Sequence, residues 1–397
     1  MVKRVLKKRV LILVANLPVP PDRRVWHEAL ALRAAGYTVS VICPKGKGFL
    51  AGYECIEDIH IHRYALPLEA AGAFGFLVEY AVTLFWALVL SLKVVFTRGF
   101  SIIHACNPPD LYFLLGWLYR PFGKRFVFDF HDLCPELYEV KFGKRGWLHY
   151  LLLGLEWLTL KSARVVLATN ESFAGIVQQR GGRKPEDVFI VRSAPDGKRF
   201  QRTQPDTALR AGASVVVGYV GIMGKQDGID HLLDAAAVLV RQTGRQRFRF
   251  VLVGDGPERP RLEARTRQLG LEDVIIFAGY RTGPALLAAY SSFDLGIIPD
   301  PPDVYNHRIT MNKTLEFMAL QIPFVMFPLE QSRIDAGAAG LVASAATPEA
   351  LAQALLRLAD DAVLQASMRR VAQERTAQLS WDEAKKNLLT AYERAIS

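Results

Sequence analysis

Cysteine is scarce: Cys43, Cys55, Cys106 and Cys134 are scattered through 397 residues with no C-x-x-C pair. That spacing excludes a disulfide framework and a thiolate zinc site, and favours free thiols in a reducing compartment. The eight histidines form no cluster at metal-ligand spacing, and Asp129 and Asp132 flanking His131 are a sparse ligand set, so no metal is expected. No RNA- or DNA-binding motif is present, and the aromatics gather in apolar runs instead of alternating with basic residues; nucleic acid is not the expected partner. A long charge-free apolar run is also missing. Within residues 73–100, Glu79 and Lys93 leave Tyr80 to Leu92 free of charge, about 20 Å of helix where a bilayer core needs ~30 Å. The opening MVKRVLKKRVLILVAN imitates a signal peptide, but its apolar core, Val10 to Ala15, is short and a Pro-rich turn follows, so it reads as a basic tail entering a buried strand.

What the chain has is positive charge, +10 overall, prominent at Lys3, Arg4, Lys7, Lys8 and Arg9, then Arg120, Lys124 and Arg125, then Lys141, Lys144 and Arg145. An anionic membrane surface, a phosphorylated substrate or a solvated basic face each account for it. Its 51% apolar content and length suit two domains. Buried-strand runs alternate with helical patterns: RVLILVAN, a helix from Trp26 to Ala35, Tyr37 to Cys43, SIIHAC, RFVFDFHD, RVVLATN, VFIVRS. After a polar stretch, Lys198 to Ala213, read as a linker, the rhythm restarts with VVVGYVG, FRFVLVGDG, VIIFAGY and LGIIP. The expected fold is α/β, two doubly wound Rossmann-like domains facing a cleft: 1–195, then 196–379, with the helix from about 380 to 397 packing back on the first.

The stretch YNHRITMNKTLEFMALQIPFVMF, residues 305–327, sets Glu316 in an apolar helical pattern that Pro323 ends. With Thr310 as the cap, Met311, Leu315, Met318 and Ala319 form a buried stripe, and Asn312 and Glu316 share the face beside it. A free helix N-terminus favours phosphate, and a carboxylate one turn on accepts bonds from ribose hydroxyls; a solvated surface glutamate is the plain alternative. Glycines follow the strands of this half at Gly221 and Gly224, Gly254 and Gly256, and Gly279, where either a ligand or the turn itself demands them.

GDGPERPRLEA, VIIFAGY, SSFDLGIIP, TMNKTLEFMAL-x-x-P, EQSRIDAGAAGL, TPEALAQAL and SWDEA, in that order, resemble the family 4 glycosyltransferases of the two-Rossmann-domain (GT-B) type. PPDRRVWHEALALRAAGYTVSVICP, SIIHACNPPDLYFLLG, FVFDFHDLCPELYE and VVLATNESF are similar to a branch associated with bacterial surface polysaccharides. The resemblance implies a hexosyltransferase-type enzyme with a nucleotide-sugar donor held mainly by the second domain and an acceptor, a lipid-linked saccharide, held mainly by the first. The resemblance also implies transfer with retention of anomeric configuration. It gives Glu316 the donor ribose, the amides of Met311, Asn312 and Lys313 the diphosphate, and Tyr280 and Arg281 the base, with Gly221, Gly254 and Gly256 lining the donor. It makes His131 the residue facing the transferred sugar and phosphate.

Departures bear on the chemistry. Arg308 stands where an earlier glutamate is usual, and Ile222 and Asp227 break the usual cation pair, so Lys225, Arg308, Lys313 and Arg333 are the replacement candidates, Lys225 and Arg308 foremost. LPVPPDRR replaces paired glycines, which brings in Arg23 and Arg24, with Asp132, on the acceptor side; Gln321 replaces a helix-ending glycine. D-x-D is absent, so neither a donor-chelating metal nor another cofactor is expected. The rivals are a non-catalytic subunit of the same fold and a sugar-nucleotide 2-epimerase. Residues 73–100 read either as a buried helix or as an interfacial patch, with Phe74, Phe76, Phe85 and Trp86 in headgroups beside Lys93, Arg98 and the Arg120 to Arg125 cations. The second reading places the protein in the cytoplasm, peripheral on the inner face of the cytoplasmic membrane.

Overall fold

A computed structural model of the chain describes residues 8–46, 48–66, 72–197 and 200–397; the side chains of 72–74, 76 and 77 fall outside that description. Lys3, Arg4, Lys7, Lys198 and the side chains of Phe74 and Phe76 therefore lie outside the described residues. The chain divides into two compact units, Met1–Ser193 with Ala384–Ser397, and Ala194–Glu383.

The first unit is built on eight strands: β1 Arg9–Leu13, β2 Thr38–Pro44, β3 Tyr53–Ile56, β4 Ile59–Tyr64, β5 Ile102–Cys106, β6 Arg125–Phe130, β7 Val165–Ala168 and β8 Val188–Ile190. Their order is β3-β4-β2-β1-β5-β6-β7-β8. Neighbours run parallel except β3, which forms a hairpin with β4 through Glu57 and Asp58, both left-handed (φ 48° and 58°). Helices cover both faces, so the central strands bury both sides, with Leu11, Val39, Ile103, Val127 and Val165 out of contact with water. Helix Arg23–Ala34 begins earlier than its apolar pattern because Asp22 caps it, accepting from Val25 N at 3.1 Å.

The second unit holds β9 Val215–Val220, β10 Phe248–Val253, β11 Ile275–Gly279, β12 Leu295–Ile298, β13 Phe324–Met326 and β14 Gly340–Val342, all parallel, in the order β11-β10-β9-β12-β13-β14. Of the stretch read as a linker, residues 200–213 belong to this unit and are anchored on it. Leu209 is buried, Phe200 sits edge-on to Tyr290 at 5.5 Å, and Asp206 takes Arg281 Nη1 at 2.8 Å.

Residues 73–100 are partly sheltered by the first unit. The segment forms one helix, Gly72–Thr97, and its Val78–Thr97 stretch is long and apolar enough to cross a bilayer despite Lys93. Thr83, Ala87, Ser91 and Val94 of this helix are buried, while Val78, Phe85, Val89, Leu92 and Phe96 are exposed.

Candidate active site

Parallel sheets present ligands at the carboxyl ends of their strands, where the strand order reverses. In the second sheet the reversal lies between β9 and β12. Gly221 to Gly228 leave β9 there and residues 299–313 leave β12. The two segments touch: Asn306 Nδ2 donates to Gln226 O at 3.2 Å, and a Cβ on Gly228 would lie 2.1 Å from Pro299 O. Glycine here serves close backbone packing. A Cβ on Gly254 would meet Gly221 O at 1.8 Å, and one on Gly256 would meet Met223 O at 2.6 Å, so these loops brace each other. Gly254 N donates to Gly279 O at 2.9 Å, which brings Tyr280 and Arg281 to the same edge. Tyr280 is 76% exposed, whereas Arg281 is held by Asp206.

Helix Asn312–Ala319 starts at this edge. Met311, not Thr310, is its N-cap residue, and no side chain caps it; Thr310 Oγ1 instead donates to Asp335 Oδ2 at 2.8 Å. The helix therefore presents its first amides, with Asn312 exposed, and Thr314 N closes onto Met311 O at 2.9 Å. Met311, Leu315 and Met318 are the buried stripe. Glu316, half-buried one turn along, accepts a short hydrogen bond from the hydroxyl of fully buried Tyr290. That bond fixes the carboxylate's orientation. Lys313 is not an available cation: its Nζ is buried on Asp300, 2.8 and 2.7 Å from the two carboxylate oxygens, and stands 4.9 Å over the Tyr219 ring. Burial raises Asp300 against the pull of Lys313, and burial pushes Asp227 up to about 6. Lys225, Arg308 and Arg333 are exposed, and His307 O, which accepts from Gln331 N at 3.1 Å, joins the segment carrying Arg308 to helix Glu330–Ala336, which carries Arg333.

In the first unit the reversal lies between β1 and β5, and a buried charge network fills it. Asp129, inside β6 and out of contact with water, takes Arg24 in a bidentate pair, Nε at 2.8 Å and Nη2 at 2.5 Å. Arg24 also donates to Val191 O at 2.7 Å and Ser193 Oγ at 3.1 Å. Of the two arginines expected on the acceptor side, Arg24 has its guanidinium engaged in this network, while Arg23 is exposed. His131 Nδ1 lies 3.3 Å from Asp129 Oδ2. Burial opposes its charge, but the bond to Asp129 and the field of that carboxylate prevail and hold His131 up at about 9. Asp129 is held well below the usual carboxylate range: burial alone would raise it, and Arg24 with the two histidines outweighs that. Asn107 Oδ1 accepts from the amides of His131 (2.8 Å) and Asp132 (3.0 Å), fixing the loop that carries both.

Behind this pair sit residues the sequence reading passed over. Glu28 is fully buried, 3.3 Å from Arg24 Nη2 and 3.4 Å from His104 Nε2, and burial with the nearby Asp129 charge pushes it up to about 7. His104 Nδ1 is bonded to Tyr392 Oη at 2.7 Å. His104, Cys106 and Asp129 bring metal-ligand atoms within 4.8 Å of one another, but Arg24 covers both Asp129 oxygens and burial holds the Cys106 thiol protonated. The signal for this network was present in RFVFDF, a carboxylate inside a strand buried on both faces.

Comparison with known proteins adds the family. A family described as Glycosyltransferase Family 4 matches residues 22–196, and one described as Glycosyl transferases group 1 matches residues 214–361. D-inositol 3-phosphate glycosyltransferase of Salinispora tropica is 28% identical over 307 residues, 71% of this chain and 62% of that protein. 2-Deoxystreptamine glucosyltransferase of Streptomyces kanamyceticus is 27% identical over 158 residues, 38% of this chain and 40% of that protein. The chain spans less than two thirds of the length of either relative. Sucrose-phosphate synthase from Thermosynechococcus elongatus superposes with a TM-score of 0.79 at 20% identity, covering 98% of both chains. Anabaena HepE in complex with UDP-glucose gives 0.71 at 17% identity, covering 97% of this chain and 99% of that one. At these identities the likeness establishes the fold, two parallel-sheet Rossmann-like domains of the GT-B type.

Proposed function

The chain belongs to the family 4 glycosyltransferases, and from that premise we propose that it moves a sugar from a nucleoside-diphosphate donor to an acceptor hydroxyl with retention of anomeric configuration. The second unit binds the donor. One observation carries this: at the reversal point of the second sheet, an uncapped helix N-terminus stands one turn before a carboxylate that Tyr290 orients. Diphosphate on the amides of Asn312 and Lys313 and ribose on Glu316 is the complement of that arrangement. Tyr280 lies against the base. Lys225, Arg308 and Arg333 supply the positive charge that Lys313, committed to Asp300, does not.

The first unit binds the acceptor, and within it His131, kept cationic by Asp129, supplies a positive charge for the chemistry. The leaving diphosphate takes the proton of the attacking hydroxyl on the same face as the leaving group. The protein's contribution is to stabilise the charge that develops on that diphosphate. The acceptor is a lipid-linked saccharide of polysaccharide or glycolipid assembly, a reading supported by the apolar helices of the first unit.

Thermal shift of the purified chain against UDP-, GDP- and dTDP-sugars tests the donor reading. One nucleotide class stabilises the fold by about 2.7 kcal/mol at a hundredfold excess over Kd. A melting curve unmoved by every nucleotide sugar overturns the reading, and an epimerised donor formed without acceptor assigns the chain to isomerisation instead.

A further inference from the structure

Three helices of the first unit carry large apolar side chains on the face turned to water as well as on the face turned to the sheet. Helix Gly72–Thr97 buries Thr83, Ala87, Ser91 and Val94 and turns Val78, Phe85, Val89, Leu92 and Phe96 outward, Phe96 to 83% exposure. Helix Trp147–Ser162 buries His149, Glu156, Thr159 and Leu160, while Trp147 (72% exposed), Tyr150, Leu151 and Trp157 face out. Between them, helix Phe113–Tyr119 buries Phe113, Leu115 and Tyr119, yet it and the turn after it also expose Leu114, Trp117, Leu118 and Phe122. In a helix that simply packs on a sheet in water, the large apolar residues point inward.

The three lie on one side of the sheet. The crossovers β4 to β5, β5 to β6 and β6 to β7 all step in the same direction across the strand order, and right-handed crossovers then put their helices on one face. Ser91 Oγ and Tyr119 Oη, 2.9 Å apart, join the first helix to the middle one, and Thr159 Oγ1 donates to Asp110 O at 3.1 Å beside the start of the middle helix. An exposed apolar face of this breadth marks a docking surface.

Charge selects the partner. Lys93, Arg120, Arg125, Lys141, Lys144 and Lys161 are exposed on or beside these helices. The acidic residues of these helices and of the neighbouring helix Cys134–Phe142 are spent or shielded: Glu136 and Glu156 pair with Arg180, Glu139 pairs with Arg145, and burial raises Glu79. A second copy of the chain would set two basic rims against each other. We propose that this three-helix face docks side-on to an anionic phospholipid bilayer, with its aromatic residues among the headgroups and its cations on lipid phosphates. Such a leaflet is found on the cytoplasmic side of a plasma membrane. Helix Gly72–Thr97 lies in the interface and does not span, because Tyr64 Oη donates to Thr83 Oγ1 at 3.3 Å and Ser91 reaches Tyr119, contacts that a spanning helix would give up. The inference rests on no part of the transfer chemistry.

Flotation of the full chain with phosphatidylcholine vesicles containing roughly one third phosphatidylglycerol tests it. The chain is expected to float at low salt, to float poorly with phosphatidylcholine alone, and to be released at about 0.5 M salt. The triple variant Trp147→Ser, Tyr150→Ser, Trp157→Ser is expected to bind at least about tenfold more weakly with its melting temperature kept, because these side chains are exposed. Lys141→Gln, Lys144→Gln, Lys161→Gln, which leaves the packing alone, is expected to lose the preference for anionic vesicles. Failure of the wild type to float at low salt overturns the proposal, as does a folded triple variant that floats like wild type. A lipid-independent dimer that the triple variant dissolves assigns the face to a second copy and also overturns it.

Discussion

Replacing Glu316 separates the bond its carboxylate accepts from Tyr290 from the one proposed for the donor ribose. Tyr290 is fully buried and donates to it, so Glu316→Ala removes the proposed ribose contact and also this hydrogen bond to a charged group, which contributes about 1.5–3 kcal/mol. Glu316→Gln keeps an acceptor for Tyr290 and removes the charge. Hydrogen bonds to a charged group contribute about 1.5–3 kcal/mol and neutral ones about 0.5–1.5, so glutamine should weaken donor binding by about 1–1.5 kcal/mol, close to tenfold in Kd. Alanine should cost the full 1.5–3 kcal/mol or so. Titration calorimetry with UDP, the nucleotide moiety in the Anabaena structure, and with its 2′- and 3′-deoxy analogues closes the cycle. Loss of the ribose hydroxyl should weaken binding to wild type and add little further loss in Glu316→Ala, because both changes delete one bond. A folded Glu316→Gln protein with wild-type affinity, or a deoxy penalty equal in wild type and Glu316→Ala, refutes the ribose assignment.

Three further outcomes are expected. His131→Ala should lose most turnover while keeping donor affinity, and wild-type turnover should decline as pH rises through about 9, where the imidazolium held by Asp129 gives up its proton; steady-state rates beside donor calorimetry check both. Glu28 is raised from about 4.3 to about 7 on folding, so the folded state binds the extra proton and stability falls as pH rises through that window and stays lowered above it. Glu28→Gln should flatten urea-melt stability between pH ~4.5 and ~7 by up to about 1.4 kcal/mol per pH unit, and superimposable slopes would contradict it. Gln321 holds a left-handed backbone (φ 52°) just past helix Asn312–Ala319, so Gln321→Gly should raise stability by about 0.5–1 kcal/mol in thermal melts, and a lowered melting temperature would show the side chain to be needed.

Much of the fold was legible because parallel strands buried on both faces read as unbroken apolar runs: RVLILVAN, RVVLATN and FRFVLV all became strands of the two sheets. The β3–β4 hairpin was not, since its turn places Glu57 and Asp58 in the left-handed conformation that glycine or asparagine ordinarily announces. Residues 198–213 looked like a linker because short polar sequence does not show that Arg281 and Ser292 will bind Asp206. At the site, local spacing revealed the Glu316 helix, but the partners of Arg24, Lys313 and Glu316 are Asp129, Asp300 and Tyr290, two of them distant in sequence and the third hidden behind an irregular loop. Periodicity also signalled that helix Gly72–Thr97 is apolar without revealing which side faces out. That depends on the small buried residues Thr83, Ala87 and Ser91, which only the sheet beneath them explains.

Proton NMR of a turnover mixture is the most direct measurement: full-length protein, a donor selected by thermal shift, and a lipid-linked saccharide acceptor. Nucleoside diphosphate should accumulate only as a new glycoside forms, and its anomeric proton should keep the donor's configuration. An inverted product, or a donor left intact or epimerised at its second carbon in the presence of acceptor, would contradict retaining transfer by this chain.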